Sequence, residues 1–148
     1  MKGLGATGQI LRMRHESDRQ YDDRRASYLE AVGPYRAALL EEQIKLNDSG
    51  ASLYLINSLA QDGWDSLLKF YEGEIYRLRA EPGDVDRAAA AYKDSAAYPD
   101  AGPNAFRAHG YAQLKLGNRE EGHAALRHYL ELEPNATDAQ MVRFTLEQ

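Results

Sequence analysis

Slid against itself by 34 residues, the C-terminal half of this 148-residue chain lines up with itself. Gly83-Asp84 falls on Gly117-Asn118, Ala88 on Gly122 and Tyr92 on Leu126. Each copy reads as a turn, a small residue, a large apolar residue four positions later, and a second turn. On a helix, residues four apart share a face, so the small one lets a neighbouring helix approach and the large one fills the gap beside it. A period of this length marks a stack of helical hairpins, none of which can bury its apolar face alone. A fainter copy places Ala51, Leu55 and Leu59 37 residues before Ala88, Tyr92 and Ala96. The Glu81-Pro82-Gly83 turn absorbs the three extra positions, and upstream of it Leu39 over Gly73 restores the spacing of 34.

The period predicts helical units over 32–65 (degenerate), 66–102 and 103–136, with a flexible segment and mixed-charge helix over 1–31 and a capping helix over 137–148. Local signals place the helices near 18–31, 34–47, 51–61, 64–80, 84–97, 103–116, 119–132 and 137–147. Gly33-Pro34 and Gly102-Pro103 each put proline at a first helical position, where its missing N–H costs nothing. Asn118 with Glu121, and Thr137 with Gln140, have capping-box spacing, and Asp84 reads as the N-cap of the helix that Pro99 ends. No stretch alternates strictly enough for a strand, so the fold class expected is all-α.

Residues 106–134 resemble a tetratricopeptide (TPR) repeat through Phe106, Gly110, Gly122, Leu126 and Pro134, with the turn at Gly117-Asn118. His109 and Gln113 depart from the family pattern, which has leucine and tyrosine there. The preceding unit matches through Gly73, Tyr76, Ala88 and Tyr92, and the first through Tyr35, Ala51 and Leu55. The resemblance implies a right-handed superhelix of about three helix-turn-helix units with a C-terminal capping helix. A narrower stretch, from GEIYRLRAEPGDVDRAAAAY through YPDAGPNAFRAHGYAQLKLGNREEGHAALRHYLELEPNA, is similar to C-terminal TPR tails of bacterial periplasmic zinc metallopeptidases. Their His-Glu-x-x-His motif is missing here: His15-Glu16-Ser17-Asp18-Arg19 has arginine in place of the second histidine.

Composition excludes several other functions. The chain has no cysteine, which removes a disulfide scaffold, a thiol nucleophile and any sulfur-ligated metal. At a net charge of −5, broad electrostatic binding to nucleic acid is not expected. No apolar run reaches the roughly 20 residues of a membrane-spanning helix, and the N-terminus lacks the apolar core of a signal peptide. The compartment stays open between the bacterial periplasm and cytoplasm. His123 and His128 stand five apart, about 140° around a helix, so they do not form a metal-binding pair. Glu120-Glu121 opens a helix, Glu41-Glu42 lies on a solvated face, and Asp22-Asp23 is bracketed by Arg19, Arg24 and Arg25, so none suggests acid–base catalysis. Gly3, Gly5 and Gly8 spell a dinucleotide-binding string, but no strand precedes it. The opposite charges among Arg12, Arg14, Arg19, Arg24, Arg25 and Glu16, Asp18, Asp22, Asp23 nearly cancel, while Tyr21, Tyr28, Leu29 and Val32 recur at helical spacing as a docking stripe. No catalytic residue, metal or cofactor is expected.

What remains is a surface. In the TPR family the first helices of successive units line a concave groove for a peptide or a partner's helix. Carried onto this chain, the inward-facing candidates are Arg36, Leu40, Gln43 and Ile44, then Phe70, Glu74, Arg77 and Leu78, then Asn104, Arg107, Tyr111, Leu114 and Lys115. Arg36, Leu40, Phe70, Arg77, Asn104, Arg107, Tyr111 and Lys115 form the expected partner-binding set, with the four cations exposed and suited to an acidic or C-terminal segment. Leu40 and Glu74 depart from the carboxylate-clamp TPRs, which have polar amides there. The expected function is a non-catalytic protein-interaction module. The alternatives are a regulatory or substrate-positioning tail of a zinc metallopeptidase, and a structural domain that forms homo-oligomers.

Overall fold

The computed structural model describes residues 17–148. Gly3, Gly5, Gly8, Arg12, Arg14, His15, Glu16 and the side chain of Leu29 lie outside the described residues. Among those described there are seven α-helices and no strand: α1 (Asp18–Lys45), α2 (Ser49–Leu59), α3 (Ser66–Arg79), α4 (Asp84–Ala97), α5 (Pro103–Lys115), α6 (Arg119–Leu132) and α7 (Ala139–Leu146). None is long and apolar enough to cross a membrane. They fall into two compact units, one ending at Trp64 and the other beginning at Asp65.

In the first unit, α1 runs unbroken for 28 residues with Pro34 inside it, where the sequence predicts two helices separated at Gly33-Pro34. Proline disfavours helical backbone in the residue before it by crowding that residue's N–H and Cβ, and Gly33 lacks the Cβ. A Cβ at Gly33 would meet nothing within 4 Å, so the site is also open. The start of α1 carries a capping box not anticipated from the sequence: Gln20 N donates to Ser17 Oγ (3.1 Å), and Ser17 N to Gln20 Oε1 (2.9 Å). Asp48 Oδ1 caps α2 by accepting from Ala51 N at 3.0 Å. Arg25 reaches the loop after α2, where its guanidinium donates to Gly63 O at 3.4 Å. Leu40 and Ile56 are fully buried.

The second unit is two helical hairpins, α3/α4 and α5/α6, packed through α4 and α5, with α7 closing the end of α6. The repeat's turn glycines, Gly83 (φ 87°) and Gly117 (φ 86°), both occupy left-handed backbone that other residues adopt only with strain. The small–large pairs meet across the helix contacts as the period predicts. A Cβ on Gly73 would fall 2.5 Å from the Tyr92 ring, and one on Gly110 would fall 2.7 Å from Leu126 Cγ. Gly122 faces Gly110, so the backbones of α5 and α6 touch at this crossing. Val142 of α7 packs with Leu126 and Tyr129 into the terminal core.

Polar groups buried by this packing find partners. Ser66 Oγ donates to Ser95 O (2.8 Å) and Ser95 Oγ to Ser66 O (2.7 Å), tying the start of α3 to the end of α4. Asp84 is the first residue of α4 and Gly83 its N-cap, one position from the sequence expectation. The Asp84 carboxylate is enclosed, accepting from Arg79 (2.8 and 2.8 Å), Arg87 (2.9 Å) and Glu81 N (3.0 Å). The Arg79 bond, above all, holds it well below the usual carboxylate range. The two predicted capping boxes do not form. Asn118 Nδ2 instead donates to Gln113 Oε1 at 2.8 Å, and Glu121 turns to Lys93 (3.2 Å) and His109 (3.3 Å).

His109 provides a pH test of this packing. Burial pushes its imidazole below its ordinary value against the pull of Glu121, while Lys93 adds to the lowering. The unfolded chain therefore takes up the proton first, as pH falls through about 6.5, and stability present above that pH is lost below it. Thermal unfolding from pH 7.5 to 5.5 should show a smaller fall in Tm for His109→Gln than for the unaltered chain. Equal falls would contradict this.

Candidate functional site

The candidate site lies within the second unit, on the face shared by α3 and α5. On α3, Phe70, Glu74 and Arg77 are spaced four and three apart; on α5, Asn104, Arg107 or Ala108, Tyr111 or Ala112, and Lys115 repeat the same helical stripe. Together with Tyr76, Ala80, Val85, Ala88 and Tyr92 they enclose a cavity of about 420 Å³. That volume falls in the range of small-ligand pockets, about 300–1,000 Å³.

One wall is rigid. Tyr92 is buried beneath Gly73, packs against Phe70 with ring centres 5.9 Å apart, and donates its hydroxyl to Glu74 in a short hydrogen bond. Arg77 grips the same carboxylate from Nε (3.2 Å) and Nη2 (2.9 Å). Burial by itself pushes Glu74 upward, but the bonds from Arg77 and Tyr92 outweigh it and hold the group below its ordinary value, as an anion. Burial and then the Glu74 bond raise the Tyr92 hydroxyl, so it remains a donor.

The other wall is anchored to the end of the chain's fold. Arg107 lies over the Tyr111 ring, 5.4 Å from its centre, and its Nε donates to Asp138. Tyr129 Oη donates to the other oxygen of Asp138 at 2.7 Å. Burial, then the Asp138 bond, pushes the Tyr129 hydroxyl up to about 12.

The structure thus brings together Phe70, Arg77, Asn104, Arg107, Tyr111 and Lys115 of the sequence-derived set. Arg36 and Leu40 belong to the first unit, where both are buried on α1, Leu40 completely, so they offer little to a partner. Leu114 turns away from the groove and packs against Gly122, and Leu78 is exposed outside the cavity. Arg77 and Arg107 are exposed, and each is also paired with an acid, Glu74 and Asp138, that the sequence reading did not assign. Lys115 is the cavity-lining cation that the described contacts leave unpaired. Sequence reasoning missed Ala88, Ala108 and Ala112 in the lining, although the spacing of Ala108 and Ala112 relative to the α5 stripe could have shown them.

Among the described residues no three histidine or acidic side chains cluster to hold a metal ion. His109 is paired with Glu121, and His128 bonds Glu131 (3.2 Å) with its ring nearly perpendicular to Phe106, 4.3 Å between centres. No family model, curated protein or solved structure matches this chain.

Proposed function

We propose that this chain is a non-catalytic interaction module of the TPR type, binding an extended segment of a partner protein along the α3–α5 face. The observation that carries the reading is the cavity itself: the groove stripes of two successive hairpins enclose one space lined by aromatic rings and three cations. An aromatic patch bordered by guanidinium and ammonium groups suits a peptide with acidic character, because long-range attraction steers it and hydrogen bonds fix its carboxylates. The paired arginines retain donors for this purpose. Arg77 has Nη1 beyond its two bonds to Glu74, and Arg107 has both terminal nitrogens beyond its bond to Asp138.

Lys115→Glu is the clean test, because Lys115 is exposed and contributes little to the fold. Its Tm should stay within about 1–2 °C of the unaltered chain, corresponding to no more than about 0.5 kcal/mol. Binding of acidic peptides, followed by fluorescence anisotropy, should drop at least ten-fold and weaken as salt rises. Unchanged binding would remove the groove from consideration.

A second reading has its own observation. Met141 and Phe144, on α7, are 66% and 63% exposed, an apolar end suited to self-association. Sedimentation at several concentrations separates the two: a concentration-dependent dimer abolished by Phe144→Glu supports self-association.

A further inference from the structure

We infer that the peptide bound in the α3–α5 cavity is anchored by one large apolar side chain, with a carboxylate one to three residues away held at Lys115. This rests on the peptide-groove reading and names what the groove selects.

The cavity's lining includes some of the smallest side chains, Ala88 from α4 and Ala108 and Ala112 from α5, next to the rings of Phe70 and Tyr111. A merely solvated helix face has no use for such a recess. Its apolar lining is unfavourable in contact with water, and a side chain inserted among the rings would remove that contact.

The charges fix where the acid lies. On the α3 side the charge of Arg77 is already met by Glu74, which Tyr92 also holds, so a second carboxylate gains less there than at an unpaired cation. On the α5 side no acidic side chain among the described residues pairs with Lys115, and Arg107 keeps its terminal nitrogens beyond its bond to Asp138. Lys115 stands three residues past Ala112 and seven past Ala108. That separation is roughly 4–11 Å along the helix axis, which an extended peptide spans in about one to three residues.

The test is a selection of random decapeptides displayed against the immobilised full chain. The expected winners share one Phe, Leu, Trp or Met with an Asp or Glu one to three positions away. A synthetic copy should bind Ala108→Leu at least ten-fold more weakly, since the new side chain fills the recess. Ala112→Leu serves as a second filling variant, and the Tm of each confirms that it folds. Lys115→Glu should also weaken the copy at least ten-fold. If the winners are acidic without a recurring apolar position and bind Ala108→Leu unchanged, the anchor is refuted and the groove stands. If nothing is enriched, or binding is indifferent to Ala108, Lys115 and Arg107 alike, both the anchor and the groove are refuted.

Discussion

Replacing Gly110 with leucine is expected to destabilise the second unit by about 3 kcal/mol, the upper end of the usual cost of overpacking. Even a single carbon has no room. A Cβ at Gly110 would lie 2.7 Å from Leu126 Cγ and 3.0 Å from Gly122 O, and Leu126 is fully buried and cannot swing away. The opposite side is equally tight, because a Cβ at Gly122 would meet Leu114 at 2.8 Å and Gly110 O at 2.9 Å. For a chain of this size, the loss should appear as a fall in Tm of about 6–12 °C. Leu126→Ala alone should cost about 2–5 kcal/mol, because it opens a cavity in the terminal core. Combined with Gly110→Ala, it should cost less than the sum of the two, because the new methyl enters the space that leucine leaves. Strict additivity would show that the two residues do not share this contact. The backbone oxygen of Gly122 limits the rescue, so the pair should not return to full stability.

Tyr92→Ala should cost about 3–5 kcal/mol, as large aromatic truncations in a core do. Tyr92 fills the recess over Gly73, packs on Phe70 and satisfies Glu74. Tyr92→Phe separates these roles, since it keeps the ring and removes the hydroxyl. Its cost should be about 1.5–3 kcal/mol, the range for a hydrogen bond to a charged group. Urea unfolding of the three proteins checks the order. The phenylalanine variant should also let the Glu74 carboxyl rise, because it removes one of the donors holding it down. If Tyr92→Phe matched the unaltered chain, the Tyr92–Glu74 bond would contribute nothing to stability.

The helical class and the positions of the tight crossings were legible from the sequence because both are short-range properties. Ala88/Tyr92 and Gly122/Leu126 repeat at a fixed spacing, and volume complementarity at a helix contact is written directly in residue size. The continuity of α1 was not legible. Proline after glycine signals a helix start, and the same pair also permits an uninterrupted helix when the site is open. The stripe on α3 and α5 followed from the resemblance to the TPR pattern, but its full ion pairing did not. Asp138 reaches Arg107 across 31 residues of chain, and the Tyr92 hydroxyl reaches Glu74 from the next helix, so both arise from tertiary packing, which spacing alone does not encode. The Glu74–Arg77 pair, three apart on α3, is local and was readable from spacing. The tertiary pairings also change the expected behaviour of variants. Arg107→Glu would set a carboxylate against Asp138 beside Tyr129, so it should lower Tm as well as binding, whereas Lys115→Glu should affect binding alone.

The reading of the α3–α5 face as a peptide groove is tested most directly by mapping a bound peptide on the ¹⁵N-labelled full chain. The probe is an acidic decapeptide with a single phenylalanine two positions from a glutamate, titrated in low salt. The expected result is saturable amide shifts concentrated at Phe70, Glu74 and Arg77 on α3 and from Asn104 to Lys115 on α5, lost in Lys115→Glu. Shifts confined to Met141 and Phe144 on α7, or no shift at millimolar peptide, would contradict it.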